Sequence, residues 1–105
     1  MITVIHKKNT KNIDSEIYIG RPSPLGNPFV IGKDGDRNNV IKLYKEWLHN
    51  KVYVEENSAV LRELHIIAER ERNNKNTQLV CWCAPLACHG DVIKALVLHV
   101  IQRNK

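Results

Sequence analysis

Thr77-Gln78-Leu79-Val80-Cys81-Trp82-Cys83 and, after a short break, Asp91-Val92-Ile93-Lys94-Ala95-Leu96-Val97-Leu98-His99-Val100-Ile101-Gln102 decide the fold. The first run has few polar residues, as expected of a strand in the middle of a sheet. In the second, Val92, Ile93, Leu96, Val97, Val100 and Ile101 recur at helical spacing and make one strongly apolar face. A buried strand that hands over to an amphipathic helix is a building block of α/β domains.

Working upstream, the short β-branched run Ile2 to His6 reads as a strand, and so does Glu16 to Gly20. Arg21 to Pro28 carries three prolines and a glycine, which forbid regular structure, and Phe29 to Gly32 reads as a further short strand. Val40, Ile41, Tyr44, Trp47 and Leu48 share one helical face, which predicts a helix over Arg37 to His49 with Asp36 as its N-cap. Val60, Leu61, Leu64, Ile67 and Ala68 predict a second helix over Ser58 to Arg72. The order predicts a single α/β domain over residues 1–105, with a short, mostly parallel sheet, the Gln78 strand central, flanked by three helices in a Rossmann-like manner.

A chain of 105 residues supports one modest core, and 43% apolar residues is normal for a globular protein. The net charge of +5 is spread along the chain and favours an anionic partner. No basic run interleaves with aromatics, and only 6% of the residues are aromatic, so nucleic acid is not the favoured partner. No stretch approaches the roughly 20 apolar residues of a membrane span, and the N-terminus has no signal-peptide pattern. Three cysteines cannot all pair within one chain. A cytoplasmic location with reduced thiols is the expectation, and the sequence leaves monomer and homodimer open.

The strand-to-helix junction gathers Cys81, Cys83, Cys88, His89 and Asp91. Several chemistries fit. A helix start has unpaired N–H groups and a positive dipole end, so it suits an anion, with Gly90 allowing close approach to the backbone. Arg21 is the natural partner from the other irregular loop, offering a planar fork for phosphate or carboxylate, with Ser23 and Asn27 adding neutral hydrogen bonds. A structural alternative pairs Arg21 with Asp34, Asp36 or Asp91. Cys83, Cys88 and His89 would serve as zinc ligands, although Cys81 and Cys83 on one strand face stand about 7 Å apart and the spacing is unlike ordinary zinc knuckles. Cys88 at a helix start beside His89 is also where a thiol pKa should fall, making Cys88 a candidate nucleophile, with His89 and Asp91 for acid–base work. The opposite reading makes these cysteines inert core residues.

Two blocks carry a resemblance. Tyr18-Ile19-Gly20-Arg21-Pro22-Ser23 with Leu25-Gly26-Asn27-Pro28-Phe29, and Cys81-Trp82-Cys83-Ala84-Pro85 with Cys88-His89-Gly90-Asp91, make the chain similar to the small phage and bacterial proteins of the domain of unknown function 4326 family. The resemblance spans nearly the full length. It implies that both loops are the family's signature, in a bacterial or phage-infected cell, and it supplies no reaction. A role in nucleotide metabolism or in capturing a nucleotide signal is what such membership suggests. The expectation is a domain that binds a nucleotide-like or other phosphorylated small molecule at the strand ends, and as an enzyme it would be a hydrolase or transferase acting on that ligand. The alternative is a zinc-stabilised module that binds protein or nucleic acid.

Overall fold

The chain folds, in a computed structural model describing residues 1–83 and 86–103, around a sheet of three parallel strands. β1 (Ile2–His6), β2 (Glu16–Tyr18) and β3 (Thr77–Cys81) stand in the order β1-β3-β2, so the strand expected to be central is central. Register places Ile5 and Tyr18 on either side of Val80. All three strands therefore end at the same edge, and the chain leaves that edge into both irregular loops.

The helices are α1 (Arg37–Tyr53), α2 (Ser58–Arg72) and α3 (His89–Arg103). They pack on one another and share a core with one face of the sheet. Alternation along each strand explains this: Ile2 and Val4, Ile17 and Ile19, and Leu79 and Cys81 reach that core, while Thr3, Tyr18 and Gln78 do not. The result is a two-layer domain. Tyr44, Leu48, Ile67 and Ile93 supply the helical half of the core, and all are essentially inaccessible.

Local chemistry sets the boundaries. Asp36 caps α1 in a reciprocal box, accepting from the Asn39 N–H at 2.8 Å while Asn39 Oδ1 accepts from the Asp36 N–H at 3.2 Å. Asn57 caps α2 by accepting from the Val60 N–H at 3.1 Å. The strand expected over Phe29 to Gly32 does not form: the Val30 N–H goes to Asp34 Oδ2 at 2.8 Å and its carbonyl accepts from Lys33, which makes a turn instead. β3 stops at Cys81, two residues before the expected end, and α3 starts at His89, two residues before Asp91. Among the described residues no helix is long and apolar enough to cross a membrane.

Candidate functional site

The first loop, Gly20 to Phe29, leaves β2 and is held by its own backbone. The Ser23 N–H donates to the Gly20 carbonyl at 2.8 Å, and the Gly26 N–H to the Ser23 carbonyl at 2.9 Å. The Arg21–Pro22 peptide bond is cis. A Cβ at Gly26 would stand 3.0 Å from both the nitrogen and Cα of Arg21, so only glycine lets the loop fold back so tightly. Leu25 is buried, and its carbonyl accepts from the buried Tyr44 hydroxyl at 2.7 Å, which ties the loop to α1. Asn27 works as a staple: Oδ1 accepts from the Phe29 N–H at 2.9 Å and Nδ2 donates to the Val40 carbonyl at 3.4 Å. Ser23 Oγ is buried without a partner among the described residues and is not part of the cleft lining.

Arg21 itself is exposed at the start of this loop. Two bonds fix its backbone. The Tyr18 hydroxyl donates to the Arg21 carbonyl at 2.8 Å, and the Trp82 Nε1–H donates to the same hydroxyl at 3.0 Å. No carboxylate among the described residues pairs with the Arg21 guanidinium. The three acids offered as structural partners are engaged elsewhere: Asp34 on Val30, Asp36 as the α1 cap, and Asp91 on the Cys88 N–H.

The second loop shows the opposite use of its side chains. Cys88 precedes α3 and caps it: its Sγ accepts from the Gly90 N–H at 3.3 Å, and Asp91 Oδ2 accepts from the Cys88 N–H at 3.1 Å. Cys88 Sγ also lies 3.3 Å from Cys81 Sγ, with both thiols buried and no disulfide between them. The hydrogen bond with the Cys81 thiol, then burial, pushes the Cys88 thiol well above its ordinary range. The thiolate expected from the helix start is therefore not what the surroundings favour. Asp91 is an N-terminal cap and does not orient His89. A Cβ on Gly90 would meet Val4 Cγ1 at 2.9 Å and Ile19 Cδ1 at 3.1 Å, so this glycine lets α3 close on the sheet rather than admitting a ligand.

His89 joins the two loops. Its Nε2 lies 2.7 Å from the Ile19 carbonyl, which can only accept, so Nε2 carries the proton. Burial lowers the His89 pKa, and the Arg21 guanidinium acts in the same direction. The side chain is a neutral imidazole held against the ring of Tyr44, with centroids 5.0 Å apart. Cys88 Sγ and His89 Nε2 are thus both committed to protein partners. Among the described residues no three His, Cys, Asp or Glu side chains converge as a metal site, so the expected Cys83, Cys88 and His89 ligand set is not assembled. Ala84 and Pro85, part of the second block, lie outside the described residues.

Between the loops, at the carboxyl ends of the strands, is a cleft of about 250 Å³. Arg21, Asn27, Cys83, Cys88 and His89 line it, as anticipated for residues at converging strand ends. Phe29, Val30, Ile31 and Ile41 form an apolar wall. Among the lining residues not singled out from the sequence as site residues, two bear on ligand binding. Arg37 is the first residue of α1 and donates from Nη1 to the Ala87 carbonyl at 3.1 Å. A cation at a helix N-terminus opposes the dipole, and that mismatch was the available signal. Trp82 is the other, 60% exposed despite following a central strand.

The model of the family described as Domain of unknown function (DUF4326) matches residues 2–99. The chain belongs to this family. The match covers both loops of the DUF4326 domain and every cleft residue named above. No curated protein and no solved structure matches the chain.

Proposed function

We propose that this DUF4326 domain binds a nucleotide-like phosphorylated small molecule in the cleft at its strand ends, with Arg21 and Arg37 gripping the phosphate. The observation that carries the reading is the pair of arginines lining one small cleft, with no carboxylate paired to either among the described residues. Arginine forks match phosphate oxygens in a bidentate manner, and a cation left unpaired beside a cleft is available to an anionic ligand. Arg70, which does not line the cleft, gives the contrast: its guanidinium is tied at both ends, to Thr77 Oγ1 at 2.9 Å and to the Asn76 carbonyl at 2.7 Å, whereas Arg37 makes one such bond, from Nη1 to the Ala87 carbonyl. The apolar wall from Phe29 to Ile31 suits the non-phosphate part of such a ligand. Capture of the ligand is better supported than thiol chemistry on it, because the Cys88 thiol is buried and held protonated. A reducing compartment, such as the cytosol of a bacterium or a phage-infected cell, suits three cysteines of which none is in a disulfide.

Titration calorimetry with inorganic phosphate and a panel of nucleoside mono-, di- and triphosphates tests the reading. Arg21→Ala and Arg37→Ala should each weaken binding by about 10- to 100-fold, as expected for loss of a charge-assisted bond. Absence of binding by every phosphate compound, or equal binding by the double variant, would overturn it.

A further inference from the structure

We infer that Trp82 is a fixed stacking face for a planar base, which makes the ligand class a nucleoside monophosphate rather than a sugar phosphate. The inference rests on the phosphate grip proposed above and adds what holds the other end. Trp82 lines the same cleft as Arg21 and Arg37, yet 60% of it is exposed. Its orientation is nonetheless fixed at two points. The Nε1–H donates to the Tyr18 hydroxyl at 3.0 Å, and the His6 ring stands perpendicular to the indole at a centroid distance of 6.0 Å. A perpendicular neighbour occupies at most one face of the indole, and the residue stays largely exposed to solvent. A large aromatic surface that is oriented but unburied contributes little to the core and costs a stacking ligand little ordering entropy.

Size narrows the class. A volume of about 250 Å³ lies below the range of about 300–1,000 Å³ for pockets that enclose a whole drug-sized ligand. The cleft therefore encloses part of a nucleotide, and the remainder lies at the mouth. Charge belongs with the two arginines, which leaves the base to the exposed indole and to the half-exposed Ile31 that lines the same cleft. Stacking accepts any flat π-face, so the site should demand a base while discriminating weakly between bases.

The test compares adenosine 5′-monophosphate with ribose 5-phosphate by calorimetry on the wild-type protein, Trp82→Ala and Tyr18→Phe. The two compounds share the phosphate and ribose, so the ratio of their affinities cancels any disturbance of the arginine grip. The wild-type ratio should favour the nucleotide by about 5- to 150-fold, the usual range for a base stacked on an aromatic side chain. Trp82→Ala should bring the ratio close to one. Tyr18→Phe removes the hydroxyl that orients the indole and the Arg21 backbone but keeps both rings, and should preserve most of the preference. A wild-type ratio near one, or a preference that survives Trp82→Ala, would overturn the stacking role while leaving the phosphate grip intact. If neither compound binds, both proposals fall together.

Discussion

The two strand-end loops use their side chains in the opposite way to what their composition suggests. The second, from Trp82 to Asp91, holds all three classes of reactive group, thiol, imidazole and carboxylate, and uses nearly all of them internally. Cys88 and Asp91 cap α3, the Cys88 thiol packs on that of Cys81, and His89 donates to the Ile19 carbonyl. The first, from Gly20 to Phe29, is mostly proline, glycine and small polar residues. It builds its stiffness from backbone bonds and leaves the Arg21 side chain open to the cleft. Reactive side chains near a cleft therefore serve the scaffold here, and the plainer loop presents the charge.

The largest effect should come from His89→Ala. Removing this side chain opens a cavity beside Tyr44 and leaves the buried Ile19 carbonyl without its donor, which together cost about 2–4 kcal/mol of stability. Urea denaturation measures this, and a change below about 0.5 kcal/mol, the usual surface effect, would mean the loops are not joined through His89. Next comes Asp91→Ala, which removes the acceptor for the Cys88 N–H and a negative charge at the start of α3. It should cost about 0.5–2 kcal/mol without weakening ligand binding. Loss of ligand binding with stability unchanged would make Asp91 a ligand-binding residue instead of a cap.

A smaller effect concerns pH. The folded-state pKa of His89 lies below its ordinary value of 6.5, so between those two pKa values the unfolded chain binds the extra proton and the folded chain does not. Stability is then fully present above about pH 6.5 and is lost as pH falls through the folded-state pKa. His89→Gln keeps an N–H donor and cannot titrate, so it should flatten this slope in a series of denaturation midpoints. A slope unchanged by the substitution would show that His89 is not buried neutral. Glu16, whose carboxylate accepts from the Lys11 and Asn12 N–H groups, is held below 4.5 by the Thr10 hydroxyl first and then by those bonds. Its contribution is present above that value and is lost as pH falls through its folded-state pKa.

Much of the fold was legible because its determinants are local. Helical periodicity gave α2 its observed limits, and Asp36 marked the start of α1. The strand proposed for Phe29 to Gly32 failed because β-branched residues there meet Asp34 before they meet a partner strand. The location of the cleft was legible, since prolines, glycines and polar groups cluster where strands end. The roles within it were less so, because they depend on partners distant in sequence. The acceptor of His89 is Ile19, and the partner of the Trp82 indole is Tyr18. Helix position alone predicts a lowered Cys88 pKa, and the buried thiol of Cys81 reverses it. Arg37, a cation at a helix start, carried a local signal, but its cleft position depends on the distant Ala87 carbonyl.

The most direct test is a ligand-dependent thermal shift on the wild-type protein, Arg21→Ala and Asp91→Ala, with and without a saturating nucleoside monophosphate. A ligand that binds only the folded state raises the Tm, by about 2.7 kcal/mol of stability at 100 times its Kd. Asp91→Ala should lower the unliganded Tm, by roughly 4–8 °C for each kcal/mol lost, and keep the ligand-induced rise. Arg21→Ala should keep the unliganded Tm and lose the rise. The reverse pattern, with Asp91→Ala abolishing the rise and Arg21→Ala retaining it, would contradict the division of labour between the two loops.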